Sequence, residues 1–135
     1  MGLVIEALTT EVLVFGLRAT LRRDEPRSST AARRARQIIE NEFASPLSLA
    51  RIAAEVGVHP VHLARQFRAT QGCTVGEYIR AARVAFARQQ LTSSGDSIAE
   101  IAIDAGFADQ SQLSRSFKRI TGETPAAYRA RRRLR

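Results

Sequence analysis

The second half of the chain repeats the first. Leu49-Ala-Arg-Ile-Ala-Ala-Glu-Val-Gly57 corresponds to Ile98-Ala-Glu-Ile-Ala-Ile-Asp-Ala-Gly106 at a shift of 49 residues. Beyond the glycine the shift is 50, and Leu63, Phe67, Gly72, Thr74 and Tyr78 correspond to Leu113, Phe117, Gly122, Thr124 and Tyr128. One extra residue in the second turn accounts for the change, and loops are where insertions are tolerated. Whatever unit the first copy folds into, the second must form as well.

That unit is helical. Strand-like alternation is absent, and turn residues fall at regular intervals between apolar periodic segments. The pattern predicts helices at about 31–43, 49–56, 60–71, 75–91, 98–105, 110–121 and 125–133. Thr74-Val-Gly-Glu77 and Ser97-Ile-Ala-Glu100 both fit the capping box, in which hydroxyl and carboxylate each satisfy a free backbone N–H. Thr124 followed by Pro125 is a cap before a proline at the first helical position. Gly72 and Gly122 sit where a left-handed residue would close a helix. In each copy a small residue and a glycine lie four apart, Ala53 with Gly57 and Ala102 with Gly106. They allow two helices to cross closely through a tight turn. The pairs Leu63/Phe67 and Leu113/Phe117 then anchor the second helix to the first, giving two helix-turn-helix patterns in register.

Charge is segregated along the chain. The 135 residues carry 21 Lys+Arg against 13 Asp+Glu, a formal net charge of +8. Residues 56–91 contribute +4 and residues 110–135 contribute +7, while residues 92–109 contribute −4 and the first 55 residues +1. This separation suits a surface organised towards a polyanion. With 44% apolar and 25% charged residues the composition is that of a globular protein. The single cysteine, Cys73, excludes a disulfide framework and an all-cysteine metal site within one chain. No apolar run reaches the length of a membrane span, and the start at Leu3–Leu17 is interrupted by Glu6 and Glu11 and lacks the basic region of a signal peptide. A reducing, cytoplasmic compartment is expected. His59 and His62 have no Cys, Asp or Glu near enough in sequence to complete a metal site. Neither a catalytic constellation nor a phosphate-binding glycine loop is present. No enzyme activity, cofactor or metal is therefore expected.

From Leu47 to Tyr128 the chain resembles the DNA-binding domain of the AraC/XylS family of bacterial transcription regulators. The second unit carries the stronger signature: Ile98-Ala-Glu-Ile-Ala, Gly106-Phe107, Ser111-Gln-Leu-Ser-Arg115, Phe117-Lys118-Arg119 and Gly122-Glu-Thr-Pro-Ala-Ala-Tyr128. The resemblance implies an all-α fold of two helix-turn-helix subdomains joined by a long linker helix, here preceded by an N-terminal amphipathic helix. It further implies recognition helices in adjacent major grooves of promoter DNA, and control of transcription, more often activation than repression. The expected boundaries are 1–30 for the N-terminal helix and linker and 31–135 for the DNA-binding domain. Within the latter they are 48–72 for the first helix-turn-helix, 74–91 for the linker helix, 97–122 for the second helix-turn-helix and 124–133 for a closing helix. A linker helix over Val75–Leu91 would be about 25 Å long. With the offsets of the recognition helices added, it could span grooves roughly 34 Å apart.

Burying Leu113, Phe117 and Ile120 turns Gln110, Ser111, Gln112, Ser114 and Arg115 outward. Arg115 can fork onto guanine, and Gln110 or Gln112 can read adenine. Lys118 and Arg119, a turn further on, suit phosphate. Burying Leu63 and Phe67 turns out Val61, His62, Ala64, Arg65 and Arg68. Of these Arg65 alone can make a bidentate base contact, Val61 and Ala64 offer methyl contacts to thymine, and Arg68 suits phosphate. The family places a polar cap such as serine where this chain has His59 before Pro60, so the start of that helix is open. In the linker helix Tyr78, Ile79, Ala82, Val84, Phe86 and Leu91 are expected inside. Arg80, Arg83 and Arg88 either face solvent or reach acidic groups. The run Arg129–Arg135 reads equally as a phosphate contact or a frayed tail.

Residues 3–21 carry an apolar stripe, Ile5, Leu8, Val12, Phe15 and Ala19, that could pair with a second copy in a homodimer. The first 30 residues are too few for a ligand-binding domain of their own. Two further readings stay open beside promoter recognition: a nucleoid protein that binds nucleic acid without sequence preference, and an interaction module that docks on RNA polymerase or another regulator.

Overall fold

The computed structural model describes residues 29–133, and the stripe at residues 3–21 lies outside them. Seven helices follow in order: α1 (Ser29–Glu42), α2 (Leu49–Val56), α3 (Pro60–Gln71), α4 (Val75–Ser93), α5 (Ile98–Ala105), α6 (Gln110–Thr121) and α7 (Pro125–Arg133). α1 begins inside the stretch read as linker, because a first turn leaves its amides without intrahelical acceptors and so tolerates Ser and Thr. α4 runs two residues past the expected end. The hydroxyls of Thr92 and Ser93 donate to the Gln89 carbonyl, at 3.1 and 2.8 Å.

Two cores lie on opposite faces of α4. Its first half gives Val75, Tyr78, Ile79 and Ala82 to a core shared with α1, α2 and α3. Its second half gives Val84, Ala87 and Leu91 to a core shared with α5, α6 and α7. Phe86, expected inside, is only half-buried and rests its ring 5.6 Å from that of Phe43. Ile120 packs against both cores. The repeat persists in the packing. Phe67 meets Tyr78 edge-on at 5.5 Å, and Phe117 meets Tyr128 edge-on at 5.5 Å. In the first unit the Tyr78 hydroxyl also donates to Glu40 Oε2 at 2.6 Å, tying α4 to α1. Burial, reinforced by that carboxylate, raises the phenol well above its ordinary value.

Both capping boxes form. Thr74 N–H donates to Glu77 Oε1 at 2.8 Å and Glu77 N–H to Thr74 Oγ1 at 3.0 Å. The corresponding distances for Ser97 and Glu100 are 3.0 and 3.1 Å.

The units are fastened by Arg83, which reaches no carboxylate. Its Nε donates to the Phe43 carbonyl at 2.7 Å and its Nη2 to the Ser45 carbonyl at 3.0 Å, satisfying the chain where it leaves α1. The same guanidinium lies 5.8 Å from the centre of the Phe107 ring. Gly106, the turn glycine of the second unit, sits on this assembly with φ +105°. A Cβ there would stand 2.8 Å from Arg83 Nε and 2.9 Å from both Ala44 Cα and the Phe43 oxygen. Arg129 makes a parallel clamp in the second unit, donating to the Leu91 and Ser94 carbonyls at 3.0 and 3.2 Å. Arg131 pairs with Glu123 at 2.6 Å. The arginine run is thus helical through Arg133, and these two members hold the closing helix in place instead of forming a frayed tail.

Two outcomes follow for stability. Gly122→Ala, where φ is +90° but no atom lies within 4 Å, should cost about 1–2 kcal/mol in urea unfolding. Gly106→Ala should cost clearly more, since two of the opposing atoms are backbone; equal losses would show that the Gly106 contact is not tight. The carboxyls of Glu77 and Glu100 are held below their ordinary 4.5, first by the N–H donors of Thr74 and Ser97. Their contribution is complete above that pH and lost as pH falls through the lower folded-state values. Urea midpoints should therefore decline below about pH 4.5, and less steeply in the double variant Glu77→Gln/Glu100→Gln.

Candidate nucleic-acid interface

α3 and α6 are the second helices of the two helix-turn-helix units, and each is started by a side-chain cap. His59 is the cap of α3: its Nδ1 accepts from the Val61 N–H at 3.1 Å, with Pro60 in the first turn. Imidazole thus does the work of the smaller polar cap, and the helix start is fixed. Asp109 caps α6 by accepting from the Gln112 N–H at 2.8 Å. Gln112 Oε1 reaches back to accept from the Ala108 N–H at 3.0 Å.

With Leu63 and Phe67 fully buried in α3, and Leu113 and Phe117 in α6, the two helices present matching faces. The order of buried, half-buried and exposed positions along 61–70 is the same, residue for residue, along 111–120. Val61, His62, Arg65 and Arg68 are exposed on α3, and Ala64 is half-buried. Gln110, Ser111, Gln112, Arg115, Lys118 and Arg119 are exposed on α6, and Ser114 is half-buried. Neither helix contains an aspartate or glutamate. Each therefore offers a cationic ridge uninterrupted by acid: Arg65 and Arg68 on one, Arg115, Lys118 and Arg119 on the other. Val61 is 60% exposed, which is unusual for a large apolar side chain in this fold; among the described residues Ile103 is the other.

One detail redistributes the expected roles. The Gln112 oxygen is engaged by the Ala108 N–H, which turns its amide back over the start of α6. Gln110 carries no such engagement and is the better placed of the two amides. Sequence spacing could not show this, because a glutamine in the first helical turn suits either task.

Among the described residues no group of three His, Cys, Asp or Glu side chains is positioned to hold a metal ion. Cys73 is buried, and burial, with Glu77 nearby, pushes its thiol up to about 12, far from the reactive range. Among the described residues no helix is long and apolar enough to cross a membrane.

Comparison with known proteins agrees with this geometry. Residues 52–131 match the helix-turn-helix domain family. The regulatory protein SoxS of Salmonella typhimurium is 36% identical over 93 residues, covering 69% of this chain and 87% of that protein. The right origin-binding protein of Escherichia coli is 36% identical over 91 residues, 67% of this chain but 32% of that longer protein. Among solved structures, the DNA-binding domain of AdpA, a global transcriptional factor, in complex with a target DNA superposes with a TM-score of 0.71. It is 28% identical, and the match covers 77% of this chain and 93% of that one. Together with the double helix-turn-helix, these matches show that the chain belongs to the AraC family of helix-turn-helix DNA-binding regulators.

Proposed function

We propose that the protein recognises a specific promoter sequence by placing α3 and α6 in adjacent major grooves, and that it activates transcription from there. The observation that carries this reading is the pair of acid-free, identically patterned helices held at the two ends of one rigid helix. α4 has 19 residues, a length of about 28 Å at the usual helical rise. The offsets of α3 and α6 from its ends bring the separation towards the roughly 34 Å of one DNA turn. The AdpA domain, similar over most of the chain, supports DNA as the partner.

Within this reading Arg115 forks onto a guanine, Gln110 reads a second base, and Ser111, Ser114 and Gln112 line the same groove. Arg65 reads one guanine in the other half-site, with His62 beside it. The exposed methyls of Val61, and Ala64 behind them, favour thymine. Arg68, Lys118 and Arg119 hold phosphates. The proposed domain limits follow these roles: residues 48–72 and 97–122 read DNA, residues 74–91 set their spacing, and residues 124–133 close the second unit. Activation requires contact with RNA polymerase, and the protein would act in the cytoplasm, at the nucleoid. The stripe over residues 3–21 supports a homodimer. A non-specific nucleoid protein is the weaker alternative, because Arg129 and Arg131, which favoured it, are engaged within the fold.

Binding titrations against a selected operator and its single-base variants test this. Arg115→Ala and Arg65→Ala should each cost about 1–3 kcal/mol and relax preference at one position. Lys118→Ala should weaken all sequences alike and lower the salt slope by about one unit. Several strong polar preferences in the half-site read by α3 would sink the assignment there. No loss in either arginine variant would favour the protein-docking alternative. For the dimer, the mass in solution should rise with concentration and fall to that of a monomer when Leu8 and Val12 are changed to Asp. A concentration-independent monomer mass would defeat it.

A further inference from the structure

Between the linker helix and the flank of α6 lies a cleft of about 440 Å³, lined by Arg80, Arg83, Phe107, Gln112, Arg115, Ser116 and Arg119. Four of these seven side chains are arginines and none is an acid. Arg83 is already committed to the Phe43 and Ser45 carbonyls and forms part of the wall. Arg80 is folded back along its own helix, where the missing side chain of Gly76 leaves room: a Cβ there would stand 3.3 Å from Arg80 Nη1. The acid that Arg80 neighbours, Glu77, is held by the Thr74 cap. Cations so gathered repel one another. Arg83 is destabilised in its charged form by burial first and by the charge of Arg80 second. A bound anion would relieve that repulsion.

We propose that this cleft is a phosphate-oxyanion site, with Arg80 and Arg119 as its principal ligands and Arg115 at its rim. It makes the linker helix a ligand-binding element as well as a spacer. The neutral Gln112 and Ser116 add hydrogen-bond donors on the same side. Gln112, Ser116 and Arg119 share the flank of α6 turned towards α4, beside the ridge that bears Ser111, Arg115 and Lys118. With α3 and α6 in successive grooves, the backbone crossing between them passes along that flank. A phosphodiester of that stretch is therefore the occupant the placement favours; a free polyphosphate has the same chemistry. The assignment of the source, though not of the site, rests on the DNA-binding reading.

The test uses the full chain, a duplex of random sequence and inorganic pyrophosphate. Binding to the duplex is measured against salt for wild type, Arg80→Gln and Arg80→Lys. Each phosphate contact contributes about 0.9 to the slope of log affinity against log salt. Arg80→Gln should lose about that much, and Arg80→Lys should retain it. In parallel, calorimetry with pyrophosphate is run on the DNA-free protein. An unchanged slope with saturable pyrophosphate binding that Arg80→Gln abolishes supports the site with a free polyphosphate as its occupant. An unchanged slope with no pyrophosphate binding overturns it. Ser116→Glu, which places a carboxylate in the cleft while keeping every arginine, should mimic Arg80→Gln in whichever arm responds, and thermal unfolding checks that each variant is folded. If wild type binds no DNA, the proposed function fails, and the pyrophosphate arm still decides the cleft.

Discussion

The guanidinium of Arg83 is the point on which the two halves of this molecule agree. It satisfies two carbonyls where the chain leaves α1, stacks beside Phe107, and forms the floor on which Gly106 rests. Without it the first unit would leave the Phe43 carbonyl without its donor beside its own core, and a half-buried polar group of that kind is costly. The second unit would also lose the surface that fixes its orientation. α4 supplies continuity between the units; Arg83 supplies the angle. A planar cation with several fixed donors suits this task in a way that the single ammonium of lysine does not.

The two readers are alike in mount and unlike in chemistry. Their burial patterns coincide, as a shared helix-turn-helix scaffold requires, yet α6 offers amides, hydroxyls and cations where α3 offers methyl groups, an imidazole and arginine. Methyl groups discriminate weakly and without direction, whereas paired donors and acceptors discriminate strongly and only in one geometry. On the proposed reading, such a division would place most of the sequence information in the half-site that α6 faces.

Much of this was legible beforehand, for a physical reason. The repeat, the capping boxes and the four-residue spacings are local signals, and local signals set helix limits: α2, α3, α5, α6 and α7 begin and end where the residues predict. The outward set on α3 and α6 followed from the same periodicity. Most of the contacts it does not announce are long-range. Arg83 and Arg129 bind carbonyls 38 residues or more distant in sequence for at least one of their bonds, and no spacing rule announces a backbone acceptor. Gln112 sits where a cap partner and a base reader look identical. Periodicity assigns Phe86 to the core, but it lies on the seam between the two cores, half-buried against Phe43.

The closing helix α7 bears on how the architecture ends its own repetition. α7 stands to the second unit as the first half of α4 stands to the first, with Tyr128 in the place of Tyr78. At the same shift of 50 residues, the buried Ala81 and Ala82 of α4 become the exposed Arg131 and Arg132. Where α4 presents small apolar seams, α7 presents charge, and a stack of repeats stops growing where its outer face turns polar. Arg131 and Arg132 thus give α7 a charged outward face where the matching face of α4 is a buried seam.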